Sequence, residues 1–308
     1  MAHEDSSSRP RTRLPGALLL VAGMAFFGSA TPVSKLVGNE LPLAFAAALR
    51  LLLAGFVLLP FAWWRGGNPF ALRRRDWLVI AAIAVFGNVG FTLSLLYGLQ
   101  LLSGVASSVI MSVTPALTAV AAVVFLHERM RPAKVGALAL GVTGVLVTNV
   151  FSAHGDASTN VWLGSSLVFA AVCCEVGYTT LGKVATGDVA PLQVAAVSAL
   201  LAGALLLPAM VWQAPDIDLA AISIGGWAAV SWWGLGTMAL GSVAWYSGVE
   251  RVPGHVAAGF MAVMPVSALL LSYVLLGEPF EWVHVLGFGL ALGGVVLMSR
   301  VHAREAAR

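Results

Sequence analysis

Charged residues are scarce in this chain: Asp, Glu, Lys and Arg make up only 10% of its 308 residues. An average soluble domain carries roughly 25%, so the composition excludes an ordinary soluble protein. Hydrophobic residues account for 59% of the chain, and an apolar excess of this size has to be met by lipid. We therefore expect an integral membrane protein whose partner is the bilayer. The net charge of +3 then reflects topology and predicts no nucleic-acid partner.

The chain also lacks the patterns of disulfides, metal sites and enzymes. Its two cysteines, Cys173 and Cys174, are neighbours in an apolar segment and do not form a structural disulfide. The six histidines are scattered over the termini and the ends of apolar segments, which indicates no metal site. HExxH, GxSxG, P-loop and paired-aspartate patterns are all missing. We expect no enzyme activity, no metal and no cofactor.

What the sequence does contain is a copy of itself, 150 residues further along. Residues 103–149 align without a gap to residues 253–299. The aligned pairs include two of Gly and one each of Met, Pro and Glu, which composition alone does not supply: Gly104/Gly254, Met111/Met261, Pro115/Pro265, Glu128/Glu278 and Gly144/Gly294. A long repeat in an apolar chain is typical of secondary transporters built from duplicated halves.

Apolar segments long enough to span a bilayer as helices are frequent along the chain. About 20 residues are needed, and backbone groups in lipid must be paired within the helix. Ten segments qualify: 14–36, 41–63, 77–98, 102–126, 134–151, 160–182, 190–212, 226–249, 253–276 and 283–301. The predicted fold is all-α with ten transmembrane helices. A cytoplasmic tail (1–13) precedes a first five-helix repeat (14–151) and a second one (160–301).

The basic residues predict the orientation of these helices. With the N-terminus in the cytoplasm, the cytoplasmic segments hold all but two of the 17 Lys and Arg residues, the exceptions being Lys35 and Arg50. Such an excess of basic residues marks the cytoplasmic side. The chain is therefore expected in the cell inner (plasma) membrane, with both termini on the cytoplasmic side. Because each half has an odd number of helices, the second half is predicted to enter the membrane inverted, which favours alternating inward-open and outward-open states.

Several stretches resemble a known family. AFFGSATPVSKL, LAFAAALRLLLAGFVLLP and the segment YGLQLLSGVASSVIMSVTPALTAVAAVVFLHERMRPAKVGALALGVTGVLV are similar to the EamA module of the drug/metabolite transporter superfamily. YSGVERVPGHVAAGFMAVMPVSALLLSYVLLGEPF is similar to its second copy. The chain is most similar to the YddG-like exporters of aromatic and other neutral amino acids. The resemblance implies ten helices, a central pathway between the halves and export of small metabolites.

The repeat-related prolines suggest where that pathway runs. Pro115 and Pro265 lie near the middle of the fourth and ninth spans, and each displaces a hydrogen bond to the residue four positions earlier. Those residues are Met111 and Met261, whose side chains suit varied apolar ligands. We interpret the pair as kinked helices with freed carbonyls facing a cavity. The other interpretation is that the kinks only shape packing.

Polar and aromatic residues on other spans complete the candidate pathway. Asn88 falls near the bilayer centre and either bonds a neighbouring helix or contacts substrate. Hydroxyl groups in membrane helices commonly join helices, so the hydroxyl residues carry the same two interpretations. The remaining candidates are Ser29, Thr92, Tyr178 and Trp245.

Two charges lie inside predicted spans and are candidates for function. Arg50, on the second span, matches an Arg common in the EamA pattern and has no basic counterpart in the second copy; we interpret it as structural. Glu175, on the sixth span, is either a proton-coupling carboxylate or a buried partner of a cation. Glu128 and Glu278 lie at span ends on opposite faces, which favours a role in helix ends or gates.

The function predicted from these observations is secondary export of small neutral or zwitterionic metabolites, aromatic or other large neutral amino acids above all. The alternative is a carrier of phosphorylated sugars or nucleotide-sugars, but such ligands need basic residues and the spans offer little beyond Arg50. A channel or scaffold gives no reason for an inverted repeat with kinks at mid-membrane. The chain is expected to act on its small-molecule substrate as a monomer.

Overall fold

A computed structural model describes residues 13–114, 117–118, 120–121, 135–136, 139–140, 143–144, 147, 160–185, 189–252, 257, 260–261 and 263–306. Pro115, Glu128 and most of the fifth predicted span lie outside the described residues.

All regular secondary structure in the described ranges is helical. The helices are α1 Arg13–Gly28, α2 Ala30–Glu40, α3 Leu43–Gly66, α4 Arg74–Ala82, α5 Phe91–Leu101, α6 Gly104–Met111, α7 Val161–Ala185, α8 Pro191–Gln213, α9 Ile224–Ser231, α10 Gly241–Val249, α11 Val263–Leu276 and α12 Trp282–Ala306. Two π-helical segments, Ile83–Gly90 and Trp232–Leu240, join α4 to α5 and α9 to α10.

Five helical stretches in the described part are long and apolar enough to cross a membrane. They are Pro15–Glu40, Leu43–Arg65, Arg74–Leu101, Val161–Tyr178 and Pro191–Gln213. Val263–Leu276 and Trp282–Gly294 are shorter apolar helices. Their order follows the predicted spans, whereas the total of ten remains a prediction.

Large apolar side chains cover the outside of the bundle. Among the most exposed are Trp64, Val211, Trp212, Ile224, Val274 and Trp282, each more than 60% accessible. A soluble protein rarely exposes an apolar surface of this extent, because water penalises it. The exposed surface is therefore suited to contact with lipid.

The first long helix is broken in the middle. α1 ends at Gly28 and α2 begins at Ala30, on either side of Ser29. Pro32 explains the position, because its ring lacks an N–H and pushes against the carbonyl four residues back, which belongs to Gly28. The Ser29 hydroxyl donates a hydrogen bond to the Phe26 carbonyl oxygen at 2.7 Å and so pairs one backbone group near the break.

The two π-helical segments occupy equivalent positions in the two halves. Ile83–Gly90 and Trp232–Leu240 are separated by about the 150 residues of the sequence repeat. A π-helical turn is wider than an α-helical one, is costly and is found frequently at functional sites. Both segments contribute to the walls of the cavity described below.

The helices at the centre of the molecule pack reciprocally. A Cβ atom built on Gly55 of α3 would lie 2.6 Å from Leu200 Cγ of α8, and one on Gly203 of α8 would lie 2.8 Å from Leu52 Cγ of α3. Leu52 and Gly55 are each 148 positions before Leu200 and Gly203, so equivalent residues exchange places across the contact. Residue numbers rise along one helix as they fall along the other. The two equivalent helices therefore run antiparallel.

The same exchange occurs at the flanks. α5 packs on α7, where Val168 lies against Gly98, and α10 packs on α1, where Leu20 lies against Gly248. Leu20 and Val168 are 148 positions apart, and Gly98 and Gly248 are 150 apart. The first helix of each half thus packs on the third helix of the other half. The halves are interlocked around an approximate two-fold axis, with small residues allowing the close approach.

Candidate functional site

A cavity of about 230 Å³ lies where the two halves meet. Its walls come from the first, third and fourth membrane spans of both halves. One further residue comes from α3, the second span of the first half. The lining residues are Met24, Phe27, Ala30, Thr31, Arg50, Gly87, Asn88, Phe91, Met111, Thr114, Glu175, Tyr178, Thr237, Met238, Ser242, Trp245, Tyr246, Met261, Met264, Pro265 and Ala268.

Residues from equivalent positions of the repeat line this cavity together. The pairs are Gly87/Thr237, Asn88/Met238, Met111/Met261 and Thr114/Met264. In two of these pairs, Asn88/Met238 and Thr114/Met264, the first half supplies a hydrogen-bonding group and the second half a methionine. The approximate symmetry of the backbone therefore carries a lining whose chemistry differs at equivalent positions.

Most of the residues predicted for the pathway line the cavity. They are Asn88, Met111, Tyr178, Trp245, Met261 and Pro265, together with the two charged residues Arg50 and Glu175. Pro115 lies outside the described residues.

Ser29 and Thr92 do not contribute to the described lining, and both are occupied elsewhere. The Ser29 hydroxyl accepts a hydrogen bond from Trp232 Nε1 at 3.0 Å, which joins the broken first helix to the second half. Thr92 is fully buried, and its hydroxyl accepts from an Arg50 guanidinium nitrogen at 2.7 Å. Thr92 therefore positions a lining residue, which fits the helix-joining interpretation of its hydroxyl.

Asn88 bonds a neighbouring helix, which is one of its two predicted interpretations. Its Nδ2 donates a hydrogen bond to the Ser198 hydroxyl of α8 at 3.1 Å, which joins two helices. The residue also lies on the cavity wall. Because a hydrogen bond on one side holds the amide in place, its remaining polar atoms are available to a ligand.

The helix breaks at Met111 and Met261 differ from the prediction in one respect. α6 ends at Met111, and the chain makes a turn at 261 before α11 begins at Val263. The expected free carbonyls, however, are engaged: the Thr114 hydroxyl donates to the Met111 carbonyl at 2.7 Å, and Met264 N to the Met261 carbonyl at 3.3 Å. Hydroxyl and backbone donors next to each break satisfy these oxygens locally. The prediction of free carbonyls was wrong.

Arg50 is a buried cation without a carboxylate partner in the described part of the chain. It is only 7% exposed, and its guanidinium carbon lies 4.5 Å from the centre of the Trp233 ring. One guanidinium nitrogen donates to Thr92, while its Nε has no hydrogen-bond partner among the described residues. A cation–π contact and one hydroxyl stabilise the charge only in part. The earlier interpretation of Arg50 as structural leaves the unpaired Nε unexplained.

Glu175 supplies the negative charge of the cavity. Thr114 Oγ1 donates a hydrogen bond to its Oε2 at 3.0 Å. The ion pairs found among the described residues are Lys35–Glu278, Arg65–Glu250 and His284–Glu281, so Glu175 pairs with no cation there. A carboxylate held by a single hydroxyl has room for a proton or a cationic group.

At one end of the bundle a carboxylate joins the two halves. Glu278, just after α11, accepts hydrogen bonds from Gly104 N at 2.6 Å and Val105 N at 2.8 Å, the first amides of α6. Lys35 Nζ lies 3.3 Å from Glu278 Oε1 and also donates to the Leu102 carbonyl at 2.9 Å. We call these groups the Lys35–Glu278 cluster. An anion at a helix N-terminus is favoured by both the free amides and the helix dipole.

The sequence pattern missed part of the cavity wall. Tyr246 lines the cavity, and its side chain forms a hydrogen bond with Tyr178. Met24, Phe27 and Phe91 carry no sequence signal that separates them from lipid-facing apolar residues. Thr114, three positions after Met111, is one of several hydroxyl residues on the fourth span, and no sequence signal separates it from the others.

These features define a class: a multi-pass membrane protein whose two repeats enclose a central cavity with few polar groups. Comparison with protein families then identifies the chain. Residues 14–150 and 162–300 each match the EamA-like transporter family, and the chain belongs to that family.

Individual relatives agree with this assignment. The chain is 32% identical over 277 residues to the uncharacterized transporter YetK of Bacillus subtilis, covering 90% of this chain and 84% of the relative. It is 27% identical over 286 residues to a probable terminal-alkyne amino-acid exporter of Streptantibioticus cattleyicolor, covering 91% and 92%. A solved crystal structure superimposes with a TM-score of 0.67 at 18% identity, over 95% of this chain and 99% of that one, which supports the fold. The predicted family is confirmed, and the protein is a membrane transporter rather than an enzyme.

Proposed function

We propose that this protein is a secondary transporter that exports small neutral or zwitterionic metabolites, large neutral amino acids above all, by alternating access. The observation that carries the proposal is the cavity between interlocked halves, lined by repeat-equivalent residues. The amino-acid substrate is supported by the similarity to the probable amino-acid exporter of Streptantibioticus cattleyicolor. It is also supported by the lining, in which methionines and aromatics surround a few polar groups.

The proposed membrane arrangement is ten helices as two inverted repeats, with both termini in the cytoplasm. The chain is proposed to lie in the cell inner membrane as a monomer. The antiparallel course of α3 and α8 supports inversion, because equivalent helices of inverted repeats cross the membrane in opposite directions. The basic residues support the orientation. In this arrangement the Lys35–Glu278 cluster lies at the outer end.

Alternating access needs a closure at each end of the cavity, and the repeat supplies both sets of groups. The Lys35–Glu278 cluster consists of a lysine, a glutamate and the N-terminal amides that begin at Gly104. At equivalent positions the sequence has Lys183, Glu128 and Gly254. We expect the first set to close the outer end in one state and the second set to close the cytoplasmic end in the other.

A carrier of phosphorylated sugars or nucleotide-sugars is the second candidate, and the lining argues against it. Such substrates carry two or more negative charges and need several Lys or Arg side chains. Arg50 is the basic residue of the described lining, and Glu175 offsets its charge. A ligand without net charge matches this balance.

The test is counterflow in proteoliposomes with labelled amino acids, sugars and phosphorylated metabolites. We expect exchange of large neutral amino acids and none of phosphorylated compounds. Met111→Trp and Met261→Trp should obstruct the cavity and cut exchange by at least about tenfold, because bulk added to a packed site displaces ligand. Leu270→Trp is the matched control, since Leu270 is 57% exposed on α11 and faces away from the cavity. Normal exchange by both cavity variants would contradict the proposed pathway.

A further inference from the structure

Two charges of opposite sign face the same cavity, and neither has an ion-pair partner among the described residues. Arg50 comes from α3 in the first half and Glu175 from α7 in the second. Burying an unpaired charge inside a membrane protein costs free energy, and such charges are found where a ligand or a transported ion pairs with them. A single ligand with two charged groups of opposite sign could pair with both residues.

The unused hydrogen-bonding capacity on each side indicates the chemistry of that molecule. The guanidinium of Arg50 has five N–H donors in a planar fork; Thr92 takes one donor, and the buried Nε has no described partner. A carboxylate matches such a fork with two parallel hydrogen bonds. On the other side, Glu175 Oε2 accepts from Thr114, and the remaining acceptor sites suit an ammonium group.

We propose that Arg50 binds the carboxylate, and Glu175 the ammonium group, of a zwitterionic amino-acid substrate. This inference rests on the proposed transport function and assigns its specificity to two residues. The Trp233 ring beneath Arg50 and the hydroxyls of Thr92 and Thr114 hold the two charged groups in place. The methionines and aromatics of the lining then contact the side chain of the substrate.

The halves contribute one charge each, which couples binding to the position of the repeats. A substrate bridging Arg50 and Glu175 contacts α3 and α7 simultaneously. An amine or an acid alone completes only one of the charges and leaves the other unpaired. The cavity should therefore discriminate strongly against molecules that carry a single charged group.

The test compares three ligands that share one side chain: L-phenylalanine, phenethylamine and 3-phenylpropionate. Affinities are measured by titration calorimetry on the purified protein. The wild type should bind phenylalanine at least about tenfold more tightly than either analogue, because each missing charged hydrogen bond is worth that much. Arg50→Gln should bind phenylalanine and phenethylamine equally, and Glu175→Gln should bind phenylalanine and 3-phenylpropionate equally.

This pattern distinguishes recognition from a merely structural role. A variant that only distorts the cavity weakens all three ligands by the same factor and retains the wild-type preference, which would overturn the proposal. Arg74→Gln and Glu281→Gln remove the same charges from exposed positions and should leave all three affinities unchanged. Arg50→Lys keeps the charge without the planar fork and should retain part of the preference for phenylalanine; melting curves verify that each variant folds.

Failure of this inference can be separated from failure of the transport function. A wild type that exchanges sugars or other uncharged metabolites in the proteoliposome panel, but binds none of the three ligands, overturns the zwitterion site and leaves transport intact. Absence of exchange for every compound in the panel contradicts the transport function itself.

Discussion

Removing the charge of Glu278 should open the end of the bundle that the Lys35–Glu278 cluster holds together. In Glu278→Gln the amide oxygen still accepts from one of the two α6 backbone amides. The new NH₂ group is a donor, so it cannot accept from the other amide, and it offers Lys35 no negative charge. The substitution thus preserves size and packing while removing the electrostatic part of the closure.

The magnitude follows from the contacts. Glu278 makes hydrogen bonds of 2.6 and 2.8 Å to Gly104 N and Val105 N, and its side chain is 11% exposed. Loss of one charge-assisted bond costs roughly 1.5–3 kcal/mol, so the balance between closed and open states should shift about 10- to 150-fold. Lys35 is 26% exposed, so its ion pair is partly screened. Lys35→Gln should shift the balance only about fivefold.

The assay measures access to the cavity from outside the cell. In a Cys173→Ser, Cys174→Ser background, a single cysteine at Phe91 on the cavity wall is labelled with a membrane-impermeant maleimide. Glu278→Gln should raise the labelling rate from the outer side in intact cells, and lower it from the cytoplasmic side in inverted vesicles.

Glu281→Gln is the matched control for this experiment. Glu281 lies three residues from Glu278 and is 51% exposed, and its described ion-pair contact is with His284 at 3.9 Å. The Glu281→Gln substitution removes the same charge from the same end of the bundle without changing a contact to α6. The labelling rate should therefore stay at that of the background protein. Equal labelling of the two glutamine variants, with unchanged melting temperatures, would refute the role of the Lys35–Glu278 cluster in closure.

Two further predictions concern packing and coupling. Gly55→Ala and Gly203→Ala should each lower the detergent melting temperature, because the added Cβ atoms meet leucine side chains at 2.6 and 2.8 Å and overpacking costs about 1–3 kcal/mol. Gly177→Ala is the control, because nothing lies within 4 Å of its Cβ position, and it should keep or raise the melting temperature. Equal melting temperatures for the three alanine variants would contradict the reciprocal packing. In liposomes, a pH gradient should drive amino-acid uptake by the wild type but not by Glu175→Gln at saturating substrate, because the Glu175 carboxylate binds either a proton or the substrate ammonium. A variant that still responds to the gradient would exclude Glu175 as the coupling group.

The predictions from sequence succeeded where a single residue type has one physical consequence. Pro265 indicated a helix break near Met261, and the scarcity of charge made Arg50 and Glu175 stand out. The predictions from sequence failed where the consequence depends on a neighbouring residue in the fold. The Met111 carbonyl is not free because the Thr114 hydroxyl lies beside it, and the sequence pattern does not show which of several hydroxyls turns towards that oxygen.

The π-helical segments illustrate a second limit. Ile83–Gly90 and Trp232–Leu240 are apolar stretches that read as ordinary α-helix, since a widened turn has no composition of its own. Tertiary contacts hold the wider turn in place, such as the approach of Tyr178 to Gly87, where a built Cβ would lie 2.9 Å from the tyrosine ring. Their equivalence in the two halves became visible only in the structure.

By itself the sequence determined that this is a helical membrane protein, that it is duplicated, and which way its basic loops favour its insertion. Composition, span length and loop charge act locally, and lipid enforces each of them without reference to any other helix. The tertiary structure alone decided which residues share a cavity. That depends on how helices from the two halves pack, and the exchange of Leu52 and Leu200 onto Gly203 and Gly55 brings Arg50 and Glu175, 125 positions apart in the chain, to the walls of one site.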